Sequence, residues 1–239
     1  MRTVLFVMLI GFARIGCTGN VPSQLTSTTG PVVVELYTSQ GCSSCPPADA
    51  LLGELSAMPQ VTALAFHVDY WDGIGWRDRF SIPQAVQRQH RYVETLGLSS
   101  AFTPQAVIDG RGSFVGSDRR RILAAMATPR NSVPILMETA DGQLSVTLPD
   151  WPSRGDYEVN IAAYLPKAST RVGGGENSGR ALEEVNIVRQ FRSLGTWNGQ
   201  RRVYHAALDS FPSDATRAAV LLQAAQQGPI VGSAVAALP

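Results

Sequence analysis

The sequence predicts an α/β domain followed by a mostly β, sandwich-like half. The prediction rests on a strand–helix–strand pattern over residues 31–68, a Cys-x-x-Cys pair at its first junction, and a change after residue 130 to short apolar runs separated by turn residues. The expected organisation is a signal segment and linker over residues 1–30, a domain over 31–130 and a β-rich subdomain over 131–239.

Pro31 to Tyr37 (PVVVELY) reads as a buried strand because it is apolar and β-branched. Thr38 to Pro47 (TSQGCSSCPP) reads as a turn into a helix. From Ala48 to Met58, Leu51, Leu52 and Leu55 share one helical face, and Pro59 stops the helix. Val61 to Val68 is a second apolar strand. Asp69 to Phe80 is aromatic and rich in Asp and Gly, and it precedes a polar helix from Pro83 to Leu96 closed by Gly97.

Ala106–Ile108 and Ser113–Val115 form a hairpin around Asp109-Gly110. Ser117 or Asp118 caps a helix whose first turn carries Arg119, Arg120 and Arg121, a solvated face. Composition shifts at 128–132. Beyond it, Ile135–Thr139, Leu144–Leu148, Tyr157–Leu165, Ile187–Leu194, Val203–Leu208 and Ala219–Gln223 read as strands. Glu176–Arg180 and Gly195–Gly199 are the functional-loop candidates of this half, with ordinary turns as the plainer reading.

The chain has 239 residues, 44% hydrophobic and 16% charged, with a formal net charge of +1. That balance suits a packed core and excludes a disordered chain. It also gives no basic excess to neutralise phosphates, so nucleic acid is not an expected partner. Arg2 precedes an apolar run from Val4 to Ala13, too short to span a bilayer but of signal-peptide size. A periplasmic or secreted protein without a membrane span after cleavage near Gly16–Val21 is expected. Lipidation at Cys17 is the second choice, because Arg14 occupies the place where that signal needs an apolar residue.

The cysteines are Cys17, Cys42 and Cys45, so the folded part keeps one tight pair. A structural framework in a secreted protein normally uses more cysteines and longer loops, so this pair points to thiol chemistry. The thiolate is the nucleophile, and a helix N-terminus stabilises it through unpaired N–H groups and the helix dipole. Pro46-Pro47 fits a first turn, placing the helix start near Ser43 or Ser44. Cys42 then sits at the mouth, exposed, as the attacking thiol, with Cys45 one turn inward as the resolving thiol. Thr103-Pro104 precedes the third strand, where a cis bond would turn backbone groups toward the cysteine loop; an ordinary strand-start proline is the alternative. Glu35, buried among valines seven residues before Cys42, could accept a proton from Cys45, or could instead be a salt-bridged carboxylate.

GCSSCP after an apolar strand, then FTPQAVIDG with a hairpin and helix, resembles the thioredoxin superfamily. More narrowly, VELYTSQGCSSCPPAD, AFHVDYWDGIGW, FTPQAVIDG, GSDR and GENSGRALEEVNIVRQF resemble the secreted thioredoxin-like family catalogued as domain of unknown function 1223, over residues 31 to 235. The resemblance implies a thioredoxin-like first domain, Thr103-Pro104 as the cis-proline element and Glu35 as counterpart of the buried acid of thioredoxins. The Ser43-Ser44 dipeptide and the insertion before Thr103 depart from thioredoxin itself.

The leading expectation is an exported thiol–disulfide oxidoreductase. It acts on a disulfide- or thiol-containing protein or small molecule through Cys42, Cys45, Thr103, Pro104 and Glu35, without an organic cofactor. A Cu(I)-delivery protein with Cys42, Cys45 and His67 as ligands is one alternative. A non-catalytic binding module with a structural disulfide is another. Asp69, Tyr70, Trp71 and Trp76 follow His67 and are expected to line a cleft beside the cysteines or to pack the inserted segment.

Overall fold

A computed structural model describes residues 30–152 and 155–239. The expected signal segment and Cys17 lie outside the described residues. Among the described residues, no helix is long and apolar enough to cross a membrane.

The first half supplies β1 (Val32–Thr38), α1 (Pro46–Ser56), β2 (Val61–His67), α2 (Pro83–Thr95), β3 (Gln105–Ile108), β4 (Gly112–Val115) and α3 (Arg119–Met126). The second supplies β5 (Leu136–Ala140), β6 (Gln143–Leu148), β7 (Tyr157–Arg171), β8 (Ala181–Trp197), β9 (Arg202–Ala207), β10 (Arg217–Ala224) and β11 (Ile230–Ala237). Local signals explain the first set. Every residue of β1 is buried, as its valines require. Gly97 closes α2 at φ 63, and Asp109 and Gly110 take φ 49 and 63 in the hairpin turn. Asp118 caps α3 by accepting from the Arg121 amide at 3.1 Å.

One eight-stranded sheet runs β11-β10-β7-β8-β2-β1-β3-β4, and a second runs β5-β6-β9. β1 pairs parallel with β2 and antiparallel with β3, so β2-β1-β3-β4 carries the strand–helix–strand unit and the hairpin expected of the first half. Residues on both sides of the expected boundary at 130 share this sheet, because β8 joins β2 at Ile187 and Ala65. Asn186, at φ 48, secures the join by donating its side-chain amide to the Ala63 carbonyl at 2.9 Å.

β7 and β8 are 15 and 17 residues long, longer than their apolar runs suggest. Pro166 does not end β7 because β10 has already stopped at Tyr164, so the missing N–H costs no ladder bond there. β11 lacks the β-branched density that marks a strand in sequence; pairing with β10 makes it one. α1 and α3 pack on one face of the sheet through Val34, Leu36, Leu52 and Ile122. α2 covers the other, over Val33 and Tyr37 of β1 and also Ala162 of β7 and Leu221 of β10. The small sheet packs through Leu144, Val146 and Tyr204 on the alternate residues of β7 and β10, sandwich fashion.

Candidate functional site

Cys42 and Cys45 form a disulfide with their Cα atoms 5.4 Å apart. The turn that holds them closes when the Cys45 amide donates to the Cys42 carbonyl at 3.2 Å. The helix start differs from expectation. Pro46 and Pro47 take its first positions and Cys45 is the N-cap, later than the expected start near Ser43 or Ser44, because neither proline has an N–H for a helix to use. The exposure also differs. Both cysteines have 0% exposure, whereas Ser43 and Ser44 between them face solvent.

Two segments distant in sequence pack on the cysteine turn. The first is the 69–80 insertion. Trp71 packs so close to Gly41 that a Cβ there would lie 3.0 Å from the Trp71 Cβ, and its indole N–H donates to the Thr103 hydroxyl at 2.8 Å. Trp71 thus ties the cysteine loop to Thr103-Pro104, whose peptide bond is cis. Pro104 lies beneath the head of α1: a Cβ at Gly116 would stand 3.0 Å from both Ala48 and Pro104. Trp71 is thus the link between Thr103 and the cysteine loop, and Pro104 lies close to Ala48 in the first turn of α1.

The second cover is the 172–180 loop. The β7–β8 hairpin overshoots the sheet and carries this loop onto the cysteine turn. The Asn177 side chain, fully buried, donates to the carbonyls of Gln40 at 3.0 Å and Cys42 at 2.9 Å. Arg180 donates to the Asn177 oxygen at 2.8 Å, and Glu176 accepts from the Ser43 amide at 3.0 Å. Glu176–Arg180, singled out in the sequence, is thus at the site. Gly195–Gly199 is not: it packs Trp197 and Tyr204 in the core of the small sheet.

Glu35 goes elsewhere. Alternation along β1 puts it with Val33 and Tyr37 on the α2 face, opposite the residues that meet α1. There it accepts from Arg88 at 2.5 and 2.9 Å and from Tyr92 at 2.7 Å, fully buried. The ion-pair alternative describes Glu35, and its placement on the far face gives it no route to Cys45.

The carboxyl on the cysteine side is Asp49, missed in the sequence although it stands four residues after Cys45, on the same helical face. Its amide donates to the Cys45 carbonyl at 3.1 Å. Burial pushes its carboxyl up to about 7, with the charge of His67 pulling partly against that. Asp49 also borders a cavity of about 260 Å³ shared with Pro46 and Arg180.

Behind Asp49 lies a buried polar network. His67 Nδ1 lies 2.7 Å from Asp78, and its Nε2 has no hydrogen bond, with Glu184 at 3.9 Å. Burial disfavours the imidazolium, but Asp78, Glu184 and Asp49 outweigh it and raise His67 to about 9. Burial raises Glu184. Asp78 is lowered despite burial, by His67 and by the amides of Gln40 and Phe80. Gln40 links the network to the cover: its side-chain amide donates to Glu184 at 2.9 Å, and its oxygen accepts from Trp76 at 3.0 Å. His67 is thus a hydrogen-bonded core residue. Among the described residues, no three His, Cys, Asp or Glu side chains are grouped to hold a metal ion.

Fold and site define a mixed α/β protein with a Cys-x-x-Cys disulfide at a helix start, enclosed by its own loops. Within that class, the chain belongs to the family described as Protein of unknown function (DUF1223), whose model matches residues 33–223. It is similar to a crystal structure of an Agrobacterium tumefaciens protein, with 29% identity, a TM-score of 0.74, and coverage of 85% of this chain and 92% of that one. HBP35 of Porphyromonas gingivalis shares the fold at 14% identity and a TM-score of 0.60, covering 87% of this chain and 75% of that one. No curated protein matches the sequence.

Proposed function

We propose that the protein is an exported thiol–disulfide oxidoreductase that acts on disulfide- or thiol-containing proteins or small molecules through Cys42 and Cys45. The observation that carries this reading is the placement of the disulfide at the head of α1, with the Asp49 carboxyl, near 7, one turn behind Cys45. In the reduced protein the Cys42 thiolate attacks a partner disulfide, forming a mixed disulfide and expelling one partner thiolate. Cys45 passes its proton to Asp49, and its thiolate attacks the Cys42 sulfur and releases the second partner thiol. The partner disulfide is reduced by two electrons, and the Cys42–Cys45 bond is restored. The Thr103-Pro104 backbone, beside this turn, aligns the partner's extended segment.

The test is Cys45→Ser in the exported protein. Removal of the resolving thiol is expected to trap a mixed disulfide that a small thiol reverses. The zero exposure of both cysteines favours one rival, a binding module with an inert disulfide. Absence of any trapped species, with a native protein that resists reduction, decides for that rival.

A further inference from the structure

We propose that Glu176 and Asn177 form a built-in lock on the cysteine pair: Asn177 seals Cys42 from attack, and Glu176 occupies the Ser43 amide in the cysteine turn and holds Cys42 less acidic than its position allows. The proposal deepens the oxidoreductase reading and assigns the control of that site to the β7–β8 loop.

Two features of the cover carry it. Asn177 spends both hydrogens of its side-chain amide on carbonyls of the cysteine turn, Gln40 and Cys42, so the loop is fastened to the backbone of the reactive residue itself. An attacking thiolate must approach a sulfur along the S–S axis, and no surface of Cys42 is open to it while this fastening holds. The Ser43 amide, in the turn between the two cysteines, is a donor that would favour an anion on the neighbouring Cys42 sulfur. It is already bonded to a carboxylate, at 3.0 Å from Glu176. A negative charge placed there opposes a second one on the neighbouring sulfur. The hydrogen bonds to Ser43 hold the Glu176 carboxyl below its ordinary range, so it stays ionised at neutral pH.

The glycines show that this contact is built rather than incidental. A Cβ at Gly174 would collide with the Gly75 carbonyl, and one at Gly173 would stand 3.1 Å from the Trp76 ring. The loop therefore seats directly on the 69–80 insertion, the other half of the cover. A partner or reductant engages the sulfurs after displacing this loop, for example by offering its own backbone to the Gln40 and Cys42 carbonyls. Reduction by a small thiol then runs in two steps. RS⁻ attacks the Cys42 sulfur and Cys45 leaves as a thiolate that takes up a proton. A second thiol then releases RSSR and leaves two protein thiols.

The test is the rate at which β-mercaptoethanol reduces the native, oxidised protein, read as free thiols, for wild type, Glu176→Gln and Asn177→Ala. Both variants are expected to react about tenfold faster or more. Glu176→Gln is also expected to make Cys42 of the reduced protein more acidic, read from thiolate absorbance against pH, a change that mere loosening would not produce. Glu176 is exposed, so its variant folds even if Asn177→Ala does not. A Glu176→Gln protein with wild-type reduction rate and wild-type Cys42 acidity overturns the lock. A faster rate in Glu176→Gln with no mixed disulfide trapped by Cys45→Ser keeps the lock and removes the oxidoreductase reading, so the two fail separately.

Discussion

Asp49 stands one helical turn behind Cys45, its amide donating to the Cys45 carbonyl at 3.1 Å, and its carboxyl is pushed up to about 7 by burial. A group poised near neutrality can take a thiol's proton and return it to solvent, which a fully ionised surface carboxylate does poorly. Asp49→Asn is therefore expected to slow resolution of the mixed disulfide at pH 7 by roughly tenfold to a hundredfold. It should also flatten the rise of that rate through pH 7. Stopped-flow release of a partner thiol measures both, and an unchanged rate and profile removes Asp49 as acceptor.

Glu35 gives the contrasting prediction. It neutralises Arg88 in a pocket closed by Tyr37, Tyr92 and Gln223, on the α2 face. Glu35→Gln leaves the Arg88 charge buried and unpaired, at a cost of about 3–5 kcal/mol. Denaturant unfolding reads that loss. The reduction potential of the cysteine pair is expected to stay at the wild-type value, since Glu35 faces away from it.

The buried network sets a pH dependence of stability. His67 is raised from 6.5 to about 9, so between those values the folded protein keeps a proton that the unfolded chain has released. The stability this contributes is complete below 6.5 and is lost as pH rises through 9. Asp49, raised from 3.8 to about 7, acts in the same direction over its own interval. Asp78, which is lowered, acts in the opposite direction, at acidic pH. The melting temperature of the oxidised protein is expected to fall from pH 5 to pH 9, and His67→Gln should flatten the upper part. A melting temperature that climbs over this range contradicts the assignment.

Gly174→Ala is a steric probe of the cover. Its new methyl meets the Gly75 carbonyl, which belongs to backbone and gives way only if the two loops part. A loss of about 1–3 kcal/mol is expected, as for overpacking. Reduction of the Cys42–Cys45 disulfide by a neutral thiol should accelerate with it. Gly73→Ala, on the same insertion and with nothing within 4 Å of its new methyl, is the control.

Much of the first half was legible because its signals are local. The β-branched run of β1, the proline pair of α1, the caps of α2 and α3 and the Asp109-Gly110 turn act through neighbouring residues, and the elements appear where those residues stand. The Cys-x-x-Cys pair and Thr103-Pro104 were legible for the same reason. The helix starts later than the expected Ser43 or Ser44 because proline tolerates several first-turn positions and only the finished turn chooses among them.

By itself, then, the sequence determined the kinds of element, their order and the presence of a thiol pair at a helix start. Only the tertiary structure decided which side of β1 meets α1, and so that Asp49 rather than Glu35 shares the cysteine side. It also decided that a loop some 135 residues away closes over Cys42. Those outcomes depend on β8 pairing with β2 and on a hairpin that overshoots its sheet. Such contacts join residues far apart in the chain, and periodicity and turn chemistry act over only a few residues.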